Sequence, residues 1–152
     1  MSIETVRAFL AAHGPDLVPT ELEQRSETHT LSVAWGIRPA QIAKTLALRI
    51  EEGNALLVSC GDSRLDNRKM RDQLGGKAKL LPPEEAASIT GHPVGGVCPF
   101  GLSTQLPIYC DVLLQRFEMV VTAAGDTHFA LRIHPRRLAE ITAAKWVDVC
   151  VG

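Results

Sequence analysis

The sequence predicts one α+β domain with a mostly antiparallel or mixed sheet, curled on itself and flanked by helices. Three observations carry that prediction. Alternating or continuously apolar runs of strand length begin at Lys44 and recur to the C-terminus. Many of these runs follow one another across short Gly- or Asp-marked turns. Segments of helical period, bounded by prolines, glycines and capping residues, are scattered between and around them.

The elements follow in order. Ser2 can cap a first helix, with Glu4 in its first turn and Ile3, Val6, Phe9 and Leu10 on one face; Gly14-Pro15 ends it. "THTLSVAWG" reads as a second helix from Thr28 to a stop at Gly36, and Pro39 opens a further helical turn. "KTLALRI" alternates as a strand and "ALLVSC" is continuously apolar, with "EEGN" between them as a four-residue hairpin loop. Asp66 caps "NRKMRDQL", closed by Gly75-Gly76. "KAKLL" is a short strand and "PPEEAASIT" a short helix with proline and acids in its first turn. "PIYCDV", "FEMVVTAA" and "HFALRI" are strands, "HPRRLAEITA" a helix and "KWVDVCV" a last strand.

Composition bounds the function. A chain of 152 residues fits a single domain, 1–152, and buries roughly 68–70% of its unfolded surface. It is 45% hydrophobic and 22% charged, with net charge −1, which argues against gripping a long DNA duplex through its phosphates. Two tryptophans, one tyrosine and four phenylalanines are too few for a broad base-stacking platform. The cysteines, 60, 98, 110 and 150, form no C-x-x-C pair and read as buried thiols of a reducing compartment. No signal segment or long apolar run points to a membrane, so the expected location is cytoplasmic. The histidines lack ligand spacing, so neither a metal nor another cofactor is expected.

Two places invite chemistry. On a strand, Lys44 shares a face with Leu46, Leu48 and Ile50, where an unpaired ammonium is costly. It either snorkels to water or stands at the mouth of a pocket. The stretch "TGHPVGGVCPFG", residues 90–101, carries four glycines and two prolines. Such a loop brings main chain close to a ligand, yet most loops of this kind are only tight connections. There is no P-loop and no G-x-S-x-G elbow. Cys98 reads as an apolar filler with no evident base. His128 lies opposite Phe129, Leu131 and Ile133, either reaching a cleft or solvated. Asp62, Arg64 and Asp66 read as turn and cap residues, and Asp111 as a turn former.

Taken together, "QIAKTLAL", "GDSRLDNRKM", "TGHPVGGVCPFG", "LPIYCDVLL" and "AAGDTHFALRI" resemble, in the same order, the YbaK/ProX family of aminoacyl-tRNA deacylases. That family is related to the editing insertion domain of bacterial prolyl-tRNA synthetase. The resemblance runs over about residues 23–149. It implies a barrel-like mixed sheet and a hydrolase that clears a wrong amino acid from tRNA, commonly tRNA(Pro). Lys44 takes the place of the family's characteristic lysine, and Gly95, Gly96, Pro99 and Gly101 match its "GGxxPxG" loop. With His128, these are the expected substrate-binding residues. The implied partner is a tRNA acceptor end, with prolyl-tRNA synthetase as a second candidate. In the implied mechanism Lys44 meets the ester carbonyl or terminal phosphate, loop amides hold the oxyanion, and the substrate's ribose hydroxyl activates water. A valine at Gly96 is expected to block the site and leave the fold intact. Cysteine-specific members carry a serine and an aspartate where Ala123 and Ala130 stand, and alanine-specific members carry asparagine where Thr45 stands. The rival function is a non-catalytic module binding tRNA ends or a synthetase, with an esterase on small acylated metabolites as a third reading.

Overall fold

The computed structural model describes residues 2–23, 28–51 and 53–152. The chain begins with α1 (Ser2–His13), whose Val6 and Leu10 are buried, then β1 (Thr20–Glu21) and α2 (Thr28–Trp35). A 3-10 turn, Pro39–Gln41, leads into β2 (Ile42–Ile50) and β3 (Gly53–Cys60). The long hairpin of these two strands is the spine of the fold. Its ladder runs from Ala43–Cys60 to Ile50–Gly53. The connection is therefore two residues, not four, because Gly53 at φ 126° lets pairing continue closer to the turn.

Beyond the hairpin come β4 (Arg64–Leu65), α3 (Asn67–Leu74), β5 (Lys79–Leu80) and α4 (Pro83–Thr90). Asp66 caps α3 by accepting from the Lys69 N–H at 2.9 Å, and Gly75 closes it at φ 79°. After the glycine-rich loop follow β6 (Ile108–Asp111), a second 3-10 turn (Val112–Arg116), β7 (Val120–Ala123) and β8 (Phe129–Ile133). The chain ends in α5 (Pro135–Thr142), β9 (Lys145–Val147) and β10 (Cys150–Val151).

Eight strands form one mixed sheet, ordered β1-β8-β7-β2-β3-β6-β9, with β5 added to the edge of β2. The hairpin pairs β2–β3 and β7–β8 are antiparallel, whereas β2–β7, β3–β6 and β6–β9 are parallel. The small antiparallel pair β4–β10 stands apart.

The unbroken apolar run in β3 has a direct cause: both faces of the sheet are covered. Val58 and Cys60 pack with Val6 and Leu10 of α1 and Leu138 of α5. Ala55 and Leu57, on the opposite face, pack with Met70 of α3. Leu56 is fully buried against Ala86 of α4, and truncating such a leucine to alanine costs about 2–5 kcal/mol.

Asp111 explains why "KWVDVCV" is two strands rather than one. Its buried carboxylate accepts from Leu113 N–H at 3.0 Å, Val149 N–H at 2.9 Å and Cys150 N–H at 3.1 Å. The chain is thereby drawn off β6 after Val147 and redirected to pair with β4. Asp111 is a structural anchor of the chain end, in keeping with its sequence reading as a turn former.

Candidate active site

The site lies at a break in the sheet. Pairing of β2 with β7 ends at Ala43–Thr122, and pairing with β5 starts only at Leu48–Leu80. The Leu81 N–H donates to the Ala47 carbonyl at 2.9 Å, which closes the far side of the break. Residues 44–46 therefore keep β3 on one edge and no strand on the other. Since backbone groups of alternate residues point to opposite edges, Thr45 aims its N–H and C=O the same way as Ala47, into the break.

A cavity of about 480 Å³ opens there, a size common for small-molecule sites. Its wall is built from hydrocarbon: Leu31, Ile42, Leu46, Leu81 and Ala86 are among its lining residues. Leu80 and Val94 stand at its rim, 51% and 46% exposed, so the apolar surface reaches the entrance. Among the described lining residues the polar side chains are Lys44 and Thr45. Lys44 is half-buried. Lys44 thus lies both on the strand face that parity gave it and in the lining of the cavity.

The glycine-rich loop contributes less than its sequence suggests, and in a different manner. Gly95 lines the cavity, with φ at 87°. Gly96 instead lies against the β7–β8 turn, where a Cβ would stand 2.7 Å from Asp126 N and 2.9 Å from Asp126 Cα. Its N–H donates to the Pro93 carbonyl at 2.8 Å and its carbonyl accepts from Gly125 N–H at 2.9 Å. Gly96 is thus the latch of the loop. Pro99 and Gly101 line another hollow, of about 360 Å³, beside Phe9 and His13 of α1. Gly101, at φ 60°, is pressed onto the backbone of Thr5 and Val6. The bare main chain serves first to let this loop pack on two other stretches of backbone.

His128 sits on the β7–β8 turn, with Thr127 Oγ1 3.0 Å from its Nδ1. Its N–H donates to Asp126 Oδ1 at 2.9 Å, and it is not among the residues lining the cavity. The structure thus brings together Lys44 and Gly95, with Gly96 behind them, and sets Pro99, Gly101 and His128 apart.

One residue that the sequence reading passed over is His92. It is 1% exposed, and its Nε2 faces the Phe100 carbonyl at 2.6 Å. A carbonyl only accepts, so Nε2 carries the proton and Nδ1 accepts from the Ser2 hydroxyl at the start of α1. Burial pushes this imidazole below its ordinary value, against the pull of the Phe100 carbonyl. His92 also lies 3.5 Å from Cys98 Sγ, a pairing not foreseen from sequence. It does not activate the thiol, because the nearer ring nitrogen is already protonated. Burial drives the Cys98 thiol up to about 12, and Cys98 is 0% exposed. His92 is a clamp from loop to helix; its only signal in the sequence was a polar ring set between Gly91 and Pro93.

No group of three or more histidine, cysteine or acidic side chains suited to a metal occurs among the described residues. Nor is any described helix long and apolar enough to cross a membrane.

Fold and site together define a class. The chain belongs to the aminoacyl-tRNA editing domain family, whose model matches residues 23–141. It is 39% identical over 153 residues to the uncharacterized protein YwhH of Bacillus subtilis, covering 99% of this chain and 98% of that protein. It is 27% identical over 115 residues to the proline–tRNA ligase of Thermotoga maritima, covering 75% of this chain but 19% of the ligase. Among solved structures, a proposed trans-editing enzyme for prolyl tRNA synthetase superposes with a TM-score of 0.90 at 32% identity, covering 99% and 98% of the two chains. The hypothetical protein APE2540 superposes with a TM-score of 0.89 at 27% identity, covering 97% and 99%.

Proposed function

We propose that the chain is a trans-acting aminoacyl-tRNA deacylase that hydrolyses the ester of a mischarged tRNA, with tRNA(Pro) as the carrier. The observation that carries this reading is Lys44, the one charged side chain among the described residues that line a largely apolar cavity, in a chain of the editing family. An aminoacyl ester is already activated, so a site that holds it, polarises its carbonyl and admits water is sufficient. The described lining offers no serine, cysteine, histidine or carboxylate side chain, which favours direct attack by water over an acyl-enzyme.

In this mechanism the water oxygen bonds to the carbonyl carbon and the ester C–O bond breaks. The departing ribose oxygen takes the proton, and the neighbouring ribose hydroxyl relays it. Lys44 stabilises the negative charge that develops on the carbonyl oxygen. One such donor is worth about 10²–10³ in rate, and more in a low-dielectric wall than in water. Gly95 contributes main chain to the same lining, and the hydrogen bonds of Gly96 to Pro93 and Gly125 hold the loop in place. With a net charge of −1, contact is confined to the acceptor end and weakens with salt. This role places the chain in the cytoplasm, with prolyl-tRNA synthetase as a partner.

The test is single-turnover hydrolysis of a panel of tRNA(Pro) species, each charged with a different amino acid. Release of at least one wrong amino acid, faster than proline, supports the reading. Binding of charged tRNA without any hydrolysis overturns it in favour of a non-catalytic module.

A further inference from the structure

A row of arginines leads away from the cavity over one face of the sheet. Ala123 of β7 lines the cavity, and Val121, two residues back, lies on the same face of the strand. Val121 pairs with Arg132 of β8, so Arg132 stands on that face too, about 7 Å along the strand from the wall. Its guanidinium carbon is 4.4 Å from the centre of the Trp35 ring, at the end of α2. Three residues on, the Arg38 guanidinium covers the Phe117 ring at 5.0 Å. Trp35 and Met119 pack on one cluster with Leu31 and Ile42, which also line the cavity. The row therefore runs from the cavity wall past Arg132 to Arg38.

Covering an aromatic ring is ordinary for a surface arginine, and a neutralised guanidinium in that place would carry no inference. Arg38 and Arg132 are exposed, and no ion pair among the described residues engages either. Arg49 and Arg137, by contrast, are tied to Glu85 and Asp16. Arg116 also lies over Phe117, at 5.3 Å, but its Nε donates to the Leu113 carbonyl at 3.0 Å and a terminal nitrogen faces Cys60 Sγ. It anchors the ring and adds positive charge beside Arg38. Glu118, next in sequence to Phe117, is exposed and forms no ion pair with any of the three. A guanidinium laid on an aromatic face keeps its N–H fork along the open edge, held in one plane. That geometry suits a phosphate.

We propose that Arg132 and Arg38 form an RNA-docking strip, their forks binding backbone phosphates of the tRNA strand that leads away from the esterified end. The rings hold guanidiniums rather than bases, so the strip positions the RNA without reading its sequence. The proposal rests on the deacylase reading for the identity of the RNA, but docking can be measured without turnover. An acidic protein face would also meet two free forks. The place of the strip, on the way out of the cavity, favours the RNA.

The experiment compares wild type with Arg132→Gln, Arg38→Gln, the double variant and Arg136→Gln. Arg136 is an exposed arginine on α5, whose Leu138 packs with Val120 on the other face of the sheet. One readout is affinity for an uncharged RNA hairpin ending in an acceptor-type single strand, over a salt series. The other is single-turnover hydrolysis of a mischarged tRNA, and of the same amino acid esterified to adenosine, which has no phosphate. Each strip variant is expected to bind the hairpin about 3- to 10-fold more weakly at low salt, as one charge-assisted contact at a solvated surface. Each should also flatten the slope of log affinity against log salt by about 1, and the double variant by about 2. On tRNA the half-saturating protein concentration rises and the rate at saturation holds. On the adenosine ester the strip variants match wild type, and Arg136→Gln matches it throughout. Unchanged hairpin affinity and salt slope in the double variant overturn the strip, and weaker binding of prolyl-tRNA synthetase in that case assigns it to a protein instead. An equal loss in Arg136→Gln, or an equal loss on the adenosine ester, overturns it too. Weaker hairpin binding with no hydrolysis of any ester upholds the strip and sinks the deacylase reading alone.

Discussion

Placing a methyl group on Gly96 tests whether the glycine-rich loop is latched as described. The new Cβ would lie 2.7 Å from Asp126 N, 2.9 Å from Cα and 3.0 Å from the carbonyl carbon. All three are main-chain atoms, so no rotamer relieves the clash. Restoring ordinary contact near 3.5 Å requires the loop and the β7–β8 turn to part by about 0.8 Å. The Gly125 N–H to Gly96 carbonyl bond, 2.9 Å long, would then stretch to about 3.7 Å and cease to be a hydrogen bond. Overpacking and the lost bond together cost about 2–4 kcal/mol, or a fall in Tm of roughly 5–15 °C for a domain of this size. Gly95 moves with its neighbour, and a displacement near 1 Å at a reacting site costs on the order of 10²-fold in rate. Gly96→Ala is therefore expected to lose both stability and turnover, and the intact fold expected from the sequence for a Gly96→Val variant does not survive the geometry. Thermal unfolding and single-turnover deacylation on one preparation decide it. A Gly96→Ala protein with wild-type Tm and wild-type rate would refute the latch.

Further outcomes follow from the same structure. Cys98→Ala is expected to keep most of its activity, because the thiol is held near 12 and lies outside the cavity; trapping of an acyl-enzyme on Cys98 would contradict this. Asp111→Ala orphans the N–H groups of Leu113, Val149 and Cys150 and should cost at least about 3 kcal/mol in urea unfolding. Burial holds the His92 imidazole below its ordinary value, so the unfolded chain takes up the proton first as pH falls. Stability contributed by His92 is therefore full above about pH 6.5 and declines as pH drops from there toward the folded value. Urea unfolding should show a His92→Gln variant less stable at pH 7.5 but flatter between pH 7.5 and 5.5; an equal slope in the two proteins would contradict the assignment.

What was legible in the sequence was mostly local. Asp66 capping α3, Pro82-Pro83 opening α4 and the alternation of Lys44 to Ile50 are written within a few residues, and the structure follows them. Two-residue strands such as β1 and β4 have no period to detect. The division of the last strand depends on Asp111, 38 residues before Val149, and no local pattern announces it. Lys44 could be singled out because parity sets it on an apolar face. Thr45 could not, since its interest depends on which edge of β2 lacks a neighbour, and that is decided by where β5 and β7 dock. The spacing of Gly95, Gly96, Pro99 and Gly101 suggested one binding loop. The loop bends between them, so their nearness in sequence does not bring them to one cavity.

The central claim is that Lys44 acts on the ester from the wall of this cavity. Its most direct test is single-turnover hydrolysis of a wrongly charged tRNA(Pro) by wild type, Lys44→Ala and Lys44→Arg, with thermal unfolding alongside. The account predicts a loss of about 10²-fold or more for Lys44→Ala at an unchanged or higher Tm, since an ammonium in an apolar wall does nothing for the fold. It predicts failure of Lys44→Arg as well, because a planar fork does not replace a compact point charge in a small pocket. A Lys44→Ala protein that hydrolyses the ester at the wild-type rate would contradict the account.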